Sequence, residues 1–343
     1  VGTIFKYDNN TSEITSVPSF KKQAFGANPY YTELVEYQGK IYGMTHNGGK
    51  SNLGVIFEWD PVTNAYTKKI DFNGLNGKNP YGDLILFNNK FYGTTSKGGA
   101  NDMGVIFEWD PVTNIYIKKM DFDYNSGYEP LSSFILFNNK LYCMTSRGGT
   151  SDVGVIFEWD PVTNIYTKRV NFNMSNGGRP NNNKLTYFAG KFYGMTTYGG
   201  TDNEGAIFEW NPVTNVCVGK ISFSEYITGM LPTSSLIEWG GKFYGTTQYG
   251  GSQQGALFEW DPVTNIYTKK VNFAGVLGEH PSGSLISFNN KIYGTTASGG
   301  VYSPGTIFEW DPVTSTHTVK ATFNFITSGM NPLGGLLTYN GKF

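Results

Sequence analysis

Hydrophobic positions recur along the chain in one register from end to end. The segment that reads IFEWD or a variant of it starts at Ile4, Ile56, Ile106, Ile156, Ile207, Leu257 and Ile307, so successive copies lie 52, 50, 50, 51, 50 and 50 residues apart. A period near 50 belongs to propeller blades, whereas helical repeats run at about 33 to 47 residues. Each period holds four short runs rich in aromatic and branched residues, bounded by Gly, Asn, Asp and Pro, as strands joined by turns are. In the second repeat these runs are 82–87 (strand a), 90–95 (strand b), 104–109 (strand c) and 114–122 (strand d).

The turns follow from side-chain chemistry. In Asp110-Pro111-Val112-Thr113-Asn114 the proline fixes φ for a type I turn and the preceding Asp is placed to accept backbone amides, so c and d form a hairpin. Asn88-Asn89, Gln38-Gly39 and Gly240-Gly241 tolerate positive φ, so a and b form a second hairpin. The b–c and d–a connections are longer and vary between repeats, and up-and-down strands place both at one end of a blade. The pattern predicts an all-β fold: a seven-bladed β-propeller with four-stranded antiparallel blades. Gly2 aligns with Gly104 and Phe343 with Phe91, so the ring would be closed by N- and C-terminal strands in the same blade. Residues 335–339 would supply its strand a, 3–8 its strand c and 13–20 its strand d. Residues 1–343 would then be a single propeller domain of seven repeats, a fragment of a longer protein.

Paired cations on strand d (Lys68-Lys69, Lys118-Lys119, Lys168-Arg169, Lys269-Lys270) fit an outermost edge guarded against pairing with another chain, within reach of the recurrent Glu58, Glu108, Glu158, Glu209, Glu259 and Glu309 of strand c. Trp59, Trp109, Trp159, Trp210, Trp260 and Trp310 share one position of strand c and read as core. Gly43, Gly93, Gly194, Gly245 and Gly294, with Cys143 once, are expected to leave room on strand b for packing from the next blade.

Composition narrows the function classes. Glycine supplies 44 of 343 residues, aromatics 16% and charged residues 15%, the profile of a turn-rich β protein. With 26 basic and 27 acidic side chains the formal charge is −1, so no long-range field gathers nucleic acid or anionic lipid. No apolar stretch approaches a membrane span, and VGTIFKYD lacks the basic-then-apolar order of an export signal, which is expected upstream or removed. Cys143 and Cys217 read as unpaired structural thiols.

The order of an aromatic strand, Gly-Gly, a strand ending in Tyr or Trp-Asp-Pro-x-Thr, and an aromatic opening the next strand resembles the kelch blade, as in Tyr244–Gly251 followed by Phe258–Tyr267. Three extra residues before Gly-Gly and a Tyr rather than a Trp opening strand d depart from kelch. The pattern L-Y-G-T-T-x-x-G-G followed by G-x-x-F is similar to the GloVer-type tandem repeat of secreted bacterial proteins. Six repeats carry it (42–49, 92–99, 142–149, 193–200, 244–251 and 293–300). The resemblance implies a bacterial protein that is secreted or displayed on the cell surface.

Catalytic constellations are sparse. His46, His280 and His317 lie in different repeats without metal-ligand spacing, and no metal or other cofactor is expected; His317, in strand d, reads as a surface residue. No nucleophile elbow, phosphate loop or dinucleotide fingerprint occurs. The inner-strand acids Glu33, Asp83 and Glu238 read as non-adjacent, too scattered for a glycosidase pair. Variation between repeats then points to the loops. Before Gly-Gly stand Asn47, Lys97, Arg147, Tyr198, Tyr249 and Ser298; before the d–a proline stand Asn28, Asn79, Glu129, Arg179, Leu231, His280 and Asn331. The candidate ligand-binding residues are Glu129, Arg147, Arg179, Tyr198, Tyr249, His46, Lys97 and His280. The first, second, third and fourth of these form the foremost patch, because Arg and aromatic side chains dominate binding surfaces. The expected function is a non-catalytic extracellular or cell-surface module that recognises a protein or glycan through its b–c and d–a loops, without nucleic acid or membrane insertion, within a larger protein or assembly. The alternative is an extracellular polysaccharide-active hydrolase or lyase with its site at the channel mouth.

Overall fold

The computed structural model describes residues 2–19, 23–29, 32–232, 234–250, 253–326 and 328–343. Among them, six antiparallel sheets follow in chain order, each arranged a-b-c-d. The first holds Val35–Tyr37, Lys40–Thr45, Val55–Asp60 and Ala65–Asp71; the second Ile85–Phe87, Lys90–Lys97, Val105–Trp109 and Tyr116–Asp121; the third Ile135–Phe137, Lys140–Thr145, Val155–Asp160 and Ile165–Asn171. The fourth holds Thr186–Phe188, Lys191–Thr196, Ala206–Asn211 and Val216–Ser222; the fifth Ile237–Trp239, Lys242–Tyr249, Ala256–Asp261 and Ile266–Asn272; the sixth Ile286–Phe288, Lys291–Ser298, Thr306–Asp311 and Thr316–Thr322. Lys78–Pro80, Met230–Pro232 and Glu279–Pro281 add short strands against the far end of strand b in the second, fifth and sixth sheets. Among the described residues no helix is long and apolar enough to cross a membrane.

The fold is a β-propeller with six four-stranded blades, and the expectation of seven is corrected. The split seventh repeat gives only a two-stranded sheet, Thr3–Asp8 with Glu13–Ser19. Its C-terminal share is a Tyr339–Lys342 bridge and one reciprocal pair of hydrogen bonds, Tyr7 N–H to Phe343 O at 2.6 Å and Phe343 N–H to Tyr7 O at 3.0 Å. Elsewhere strands b and c share five residue pairs, as from Val105–Thr95 to Trp109–Phe91. One pair does not make a strand, so the expected closure by a shared seventh blade is not formed. Phe20, at the end of the expected strand d, and Gly251, at the end of one repeat motif, lie outside the described residues.

The chain falls into two compact bodies. One comprises Val1–Ile4, Val17–Phe172 and Arg179–Lys184 and holds the first three sheets; the other comprises Phe5–Ser16, Asn173–Gly178 and Leu185–Phe343 and holds the last three. In each, the two faces of strand c are both buried, because successive sheets stack. Tyr42, Met44 and Ile56 pack against Phe91, Phe107 and Trp109 in the first body, and Tyr193, Met195 and Ile207 against Phe243, Phe258 and Trp260 in the second.

The turn chemistry holds in detail. Asp60 Oδ1 accepts the amides of Val62 at 2.9 Å and Thr63 at 3.1 Å, and Asn88 and Asn89 take φ of 50° and 62°. The tryptophans are core residues, with Trp109, Trp159, Trp210 and Trp260 fully buried. The strand b glycines serve a different neighbour from the one expected. Gly43 lies opposite Phe57 in the same sheet, and a Cβ there would stand 2.7 Å from Phe57 Cζ. Trp109 instead stacks on Phe91 of its own sheet, with centroids 5.6 Å apart, and meets Tyr42 of the preceding sheet edge-on.

Strand d lies at the sheet edge, as its lysines predict. The c–d register skips Lys69, since Ile56 pairs with Ile70 and Phe57 with Lys68. Such a bulge re-aims a side chain, and Lys69 Nζ reaches Glu58 Oε2 at 3.2 Å, with Lys40 Nζ on Oε1 at 2.8 Å. Burial alone would raise the Glu58 pKa, but the two lysines hold it lowered. His317 is corrected from a surface residue to a half-buried one. It occupies the position of Tyr66, Tyr116 and Tyr267 and packs between Phe273 and Phe308, each 5.6 Å away.

Candidate functional site

The loops that vary most in sequence are fixed in backbone. Four d–a loops are fastened at the tip by the strand d tyrosine of the following sheet: Tyr116 Oη donates to Asn76 O and Tyr267 Oη to Thr228 O, both at 2.5 Å, while Tyr66 and Tyr166 bond Phe25 O and Ser126 O in the same way. The residue before the d–a proline is left-handed throughout, with φ of 52° at Asn79 and Glu129, 51° at Arg179 and 53° at His280. Its amide donates to the preceding b–c loop: Asn79 to Leu53 O (2.8 Å) and Arg179 to Val153 O (2.7 Å) in the first body, His280 to Gln254 O (2.8 Å) and Asn331 to Pro304 O (3.0 Å) in the second. The residue before Gly-Gly pairs with the d–a loop as well, as Arg147 does with Tyr128 and Tyr198 with Gly178. Side chains vary on a constant frame.

Several candidate residues come together on that frame. Lys97 Nζ forms an ion pair with Glu129 Oε1, and the Ser146 amide donates to Glu129 O at 2.9 Å, which sets Arg147 beside it. Arg147 Nη1 bonds Asp152 Oδ2 at 3.0 Å. Burial would raise the Asp152 pKa, but the Gly148 amide, Tyr128 and Arg147 hold it lowered. Tyr249 and His280 meet edge-on with centroids 5.0 Å apart, and His280 Nδ1 lies 2.9 Å from Ser298 Oγ. His46 contacts Tyr81 and the Pro80 carbonyl, and burial lowers its pKa. Glu129, Arg147, Arg179, Lys97 and His46 belong to the first body; Tyr198, Tyr249 and His280 belong to the second.

Two features escaped the sequence reading. The first is a set of exposed apolar side chains at the loop tips: Phe25, Leu75 and Tyr124 in the first body; Tyr226, Ile227, Val276, Tyr302, Phe325 and Ile326 in the second. Each d–a tip lies just before a glycine needed for the loop's return, a local signal that was available in the sequence. The second is a polar cluster in the first body. Glu33 and Asp83 are adjacent, not scattered: the Glu33 amide donates to Asp83 Oδ1 at 2.5 Å. The Asp83 amide in turn donates to Ser133 Oγ at 3.0 Å, so the stepwise 50-residue repeat sets 33, 83 and 133 side by side. Lys184 Nζ reaches Glu33 Oε2 at 2.8 Å. Burial, and then the Glu33 charge, raise the Asp83 pKa well above the carboxylate range. Burial alone would lower the Lys184 pKa, but Glu33 and Asp83 hold it raised. Among the described residues no three His, Cys, Asp or Glu are grouped to hold a metal ion.

A family model described as the Gloeobacter/Verrucomicrobia repeat matches residues 1–187, 120–254 and 232–343. No curated protein matches the chain significantly. Among solved structures, the GH74 enzyme of Niastella koreensis superposes with a TM-score of 0.58 at 14% identity, over 86% of this chain and 46% of its own. A protein of Bacteroides uniformis described as a 6-phosphogluconolactonase gives 0.57 at 12%, over 92% and 90%. The extracellular domain of a one-component system from B. thetaiotaomicron gives 0.55 at 11%, over 91% and 37%. At these identities the likeness is one of fold. The chain spans less than half the length of the first and third of these proteins.

Proposed function

The chain belongs to the Gloeobacter/Verrucomicrobia repeat family, and from that membership we propose that it is a non-catalytic interaction module, acting outside the cell or on its surface, which binds a protein or glycan through its b–c and d–a loops. One observation carries this reading: loop backbones pinned by repeated hydrogen bonds hold aromatic, aliphatic and charged side chains out to solvent. Loops ordered before binding lose little entropy on association, and exposed aromatic and Arg side chains are the usual anchors of an interface. The test is a glycan array and a quantitative pull-down from the native cell surface with the wild type and an Arg147→Ala/Arg179→Ala variant. Loss of a captured ligand in the variant supports the first-body loops as the site, and unchanged capture refutes that assignment. Turnover of a polysaccharide by the purified chain would overturn the binding reading.

An extracellular polysaccharide-active enzyme is the second reading. It is favoured by the Glu33–Asp83 contact, where one carboxylate faces Lys184 and the other is driven toward its protonated form, an asymmetry that acid and base catalysis uses. Turnover abolished by Asp83→Asn would establish it.

A further inference from the structure

The two bodies present loops of different chemistry. In the first, the loops at 46–54, 72–80, 96–104, 122–130 and 146–154, with Arg179, carry the cations Lys50, Lys78, Lys97, Arg147 and Arg179 against the anions Asp102, Asp123, Glu129 and Asp152. Several are paired with one another: Lys78 with Asp102, Lys97 with Glu129, Arg147 with Asp152. In the second, the loops at 197–205, 223–232, 248–255, 273–282, 297–305 and 323–332 carry Asp202, Glu204, Glu225 and Glu279 and not one Lys or Arg. None of these four carboxylates enters an ion pair among the described residues. The same loops hold most of the exposed apolar tips, with Tyr226 77%, Ile227 75%, Tyr302 84% and Ile326 93% exposed.

These side chains share a connected frame within the second body. Leu231 N–H donates to Glu204 O at 3.3 Å, His280 N–H to Gln254 O at 2.8 Å, Gly300 N–H to Gly275 O at 2.9 Å and Asn331 N–H to Pro304 O at 3.0 Å, so each d–a loop is laced to a b–c loop beside it. Large apolar side chains held out to solvent on ordered loops mark an interaction site. Uncompensated carboxylates around it reject acidic partners and steer basic ones.

We propose that the loops of the fourth, fifth and sixth sheets bind a cationic polypeptide that presents an apolar face, with Tyr226, Ile227, Phe325 and Ile326 meeting the apolar side and Asp202, Glu204 and Glu225 its Lys and Arg. The inference rests on the interaction-module reading and adds the partner's chemistry. The chemistry differs from that of a glycan, which offers no fixed cations, and from that of an anionic membrane, which the carboxylates would repel.

The test is fluorescence anisotropy with a labelled peptide of alternating lysine and leucine, its glutamate–leucine counterpart and a panel of soluble neutral polysaccharides, each against the whole chain. The expected result is binding of the basic peptide alone, weakening as salt rises. Asp202→Asn/Glu204→Gln/Glu225→Gln and Phe325→Ser/Ile326→Ser should each weaken it about tenfold, against less than about twofold for Leu75→Ser/Tyr124→Ser on the first body. Unchanged melting temperatures separate these losses from misfolding. Equal binding of the acidic peptide, or equal loss in the first-body variant, overturns the inference. Binding of a polysaccharide alone, or of no probe, overturns it while leaving the interaction-module reading to be decided by the native pull-down and glycan array.

Discussion

Lys184 Nζ lies 2.8 Å from Glu33 Oε2, although 151 residues separate the two in the chain. The contact joins the innermost part of the fourth repeat to that of the first within one compact body. Removing the cation takes a positive charge away from beside Glu33 and Asp83. Lys184→Met is therefore expected to destabilise the protein by about 1–3 kcal/mol, less than a fully buried pair would lose, because the lysine side chain keeps 36% exposure to screening solvent. Denaturant unfolding measures it, and an unchanged midpoint would show that the contact contributes nothing.

Asp83 gives a pH dependence of definite sign. Its pKa is raised by burial and by Glu33, with Lys184, the Glu33 amide and Ser133 opposing. A carboxyl whose folded pKa exceeds its unfolded value keeps its proton in the native state after the unfolded chain has released it. Its contribution is most favourable below the unfolded value, near pH ~4, and is lost as pH rises through the raised folded value. Asp83→Asn fixes the neutral form, so the variant should gain on the wild type between pH ~4 and neutrality. Melting temperatures across that range decide, and parallel profiles would mean that native Asp83 is ionised throughout.

Trp310 offers a stabilising substitution. The indole N–H groups of Trp59, Trp109, Trp159, Trp210 and Trp260 each donate to an Asn side chain at the c–d turn, at 3.1–3.2 Å. The sixth sheet has Ser315 at that turn position, and Trp310 Nε1 is buried without a partner. Ser315 already holds a φ of 55°, a conformation Asn tolerates better than Ser. Ser315→Asn should stabilise by about 1 kcal/mol, the usual net value of one hydrogen bond, read by thermal unfolding. A loss of stability would show that the side chain cannot reach the indole.

What the sequence made legible was whatever is decided within a hairpin. Asp60 before its proline and Asn88-Asn89 between strands dictate turns through their own backbones, and they sit where expected. Counting repeats was not the same as counting blades, because a blade needs partner strands: Tyr7 and Phe343 meet in one residue pair where Trp109 and Phe91 begin five. Glu33 and Asp83 looked scattered because their contact depends on the sideways step from one sheet to the next, a distance no local pattern carries. The exposed Tyr226 and Ile326 were passed over for a related reason. An apolar residue in a loop resembles drift until the pinning of that loop shows that it stays exposed.

His317, like Cys217 in the fourth sheet, departs from the repeat, and it has its own titration. It stands where four other sheets have a strand d tyrosine, both ring nitrogens lack partners, and burial lowers its pKa to about 4. The unfolded chain, with an ordinary value near ~6.5, takes up a proton first as pH falls, so the neutral native ring contributes stability above that value and loses it progressively down to about pH 4. His317→Tyr should remove this loss. It should also fasten the preceding d–a loop, since Tyr267 bonds the carbonyl just before Gly229 and the matching carbonyl before Gly278 belongs to Leu277. The variant is expected to melt higher than the wild type at pH 5, with a smaller difference at pH 8, and to slow amide exchange at residues 275–278. Equal melting at both pH values would show that the imidazole is already solvated in the native state.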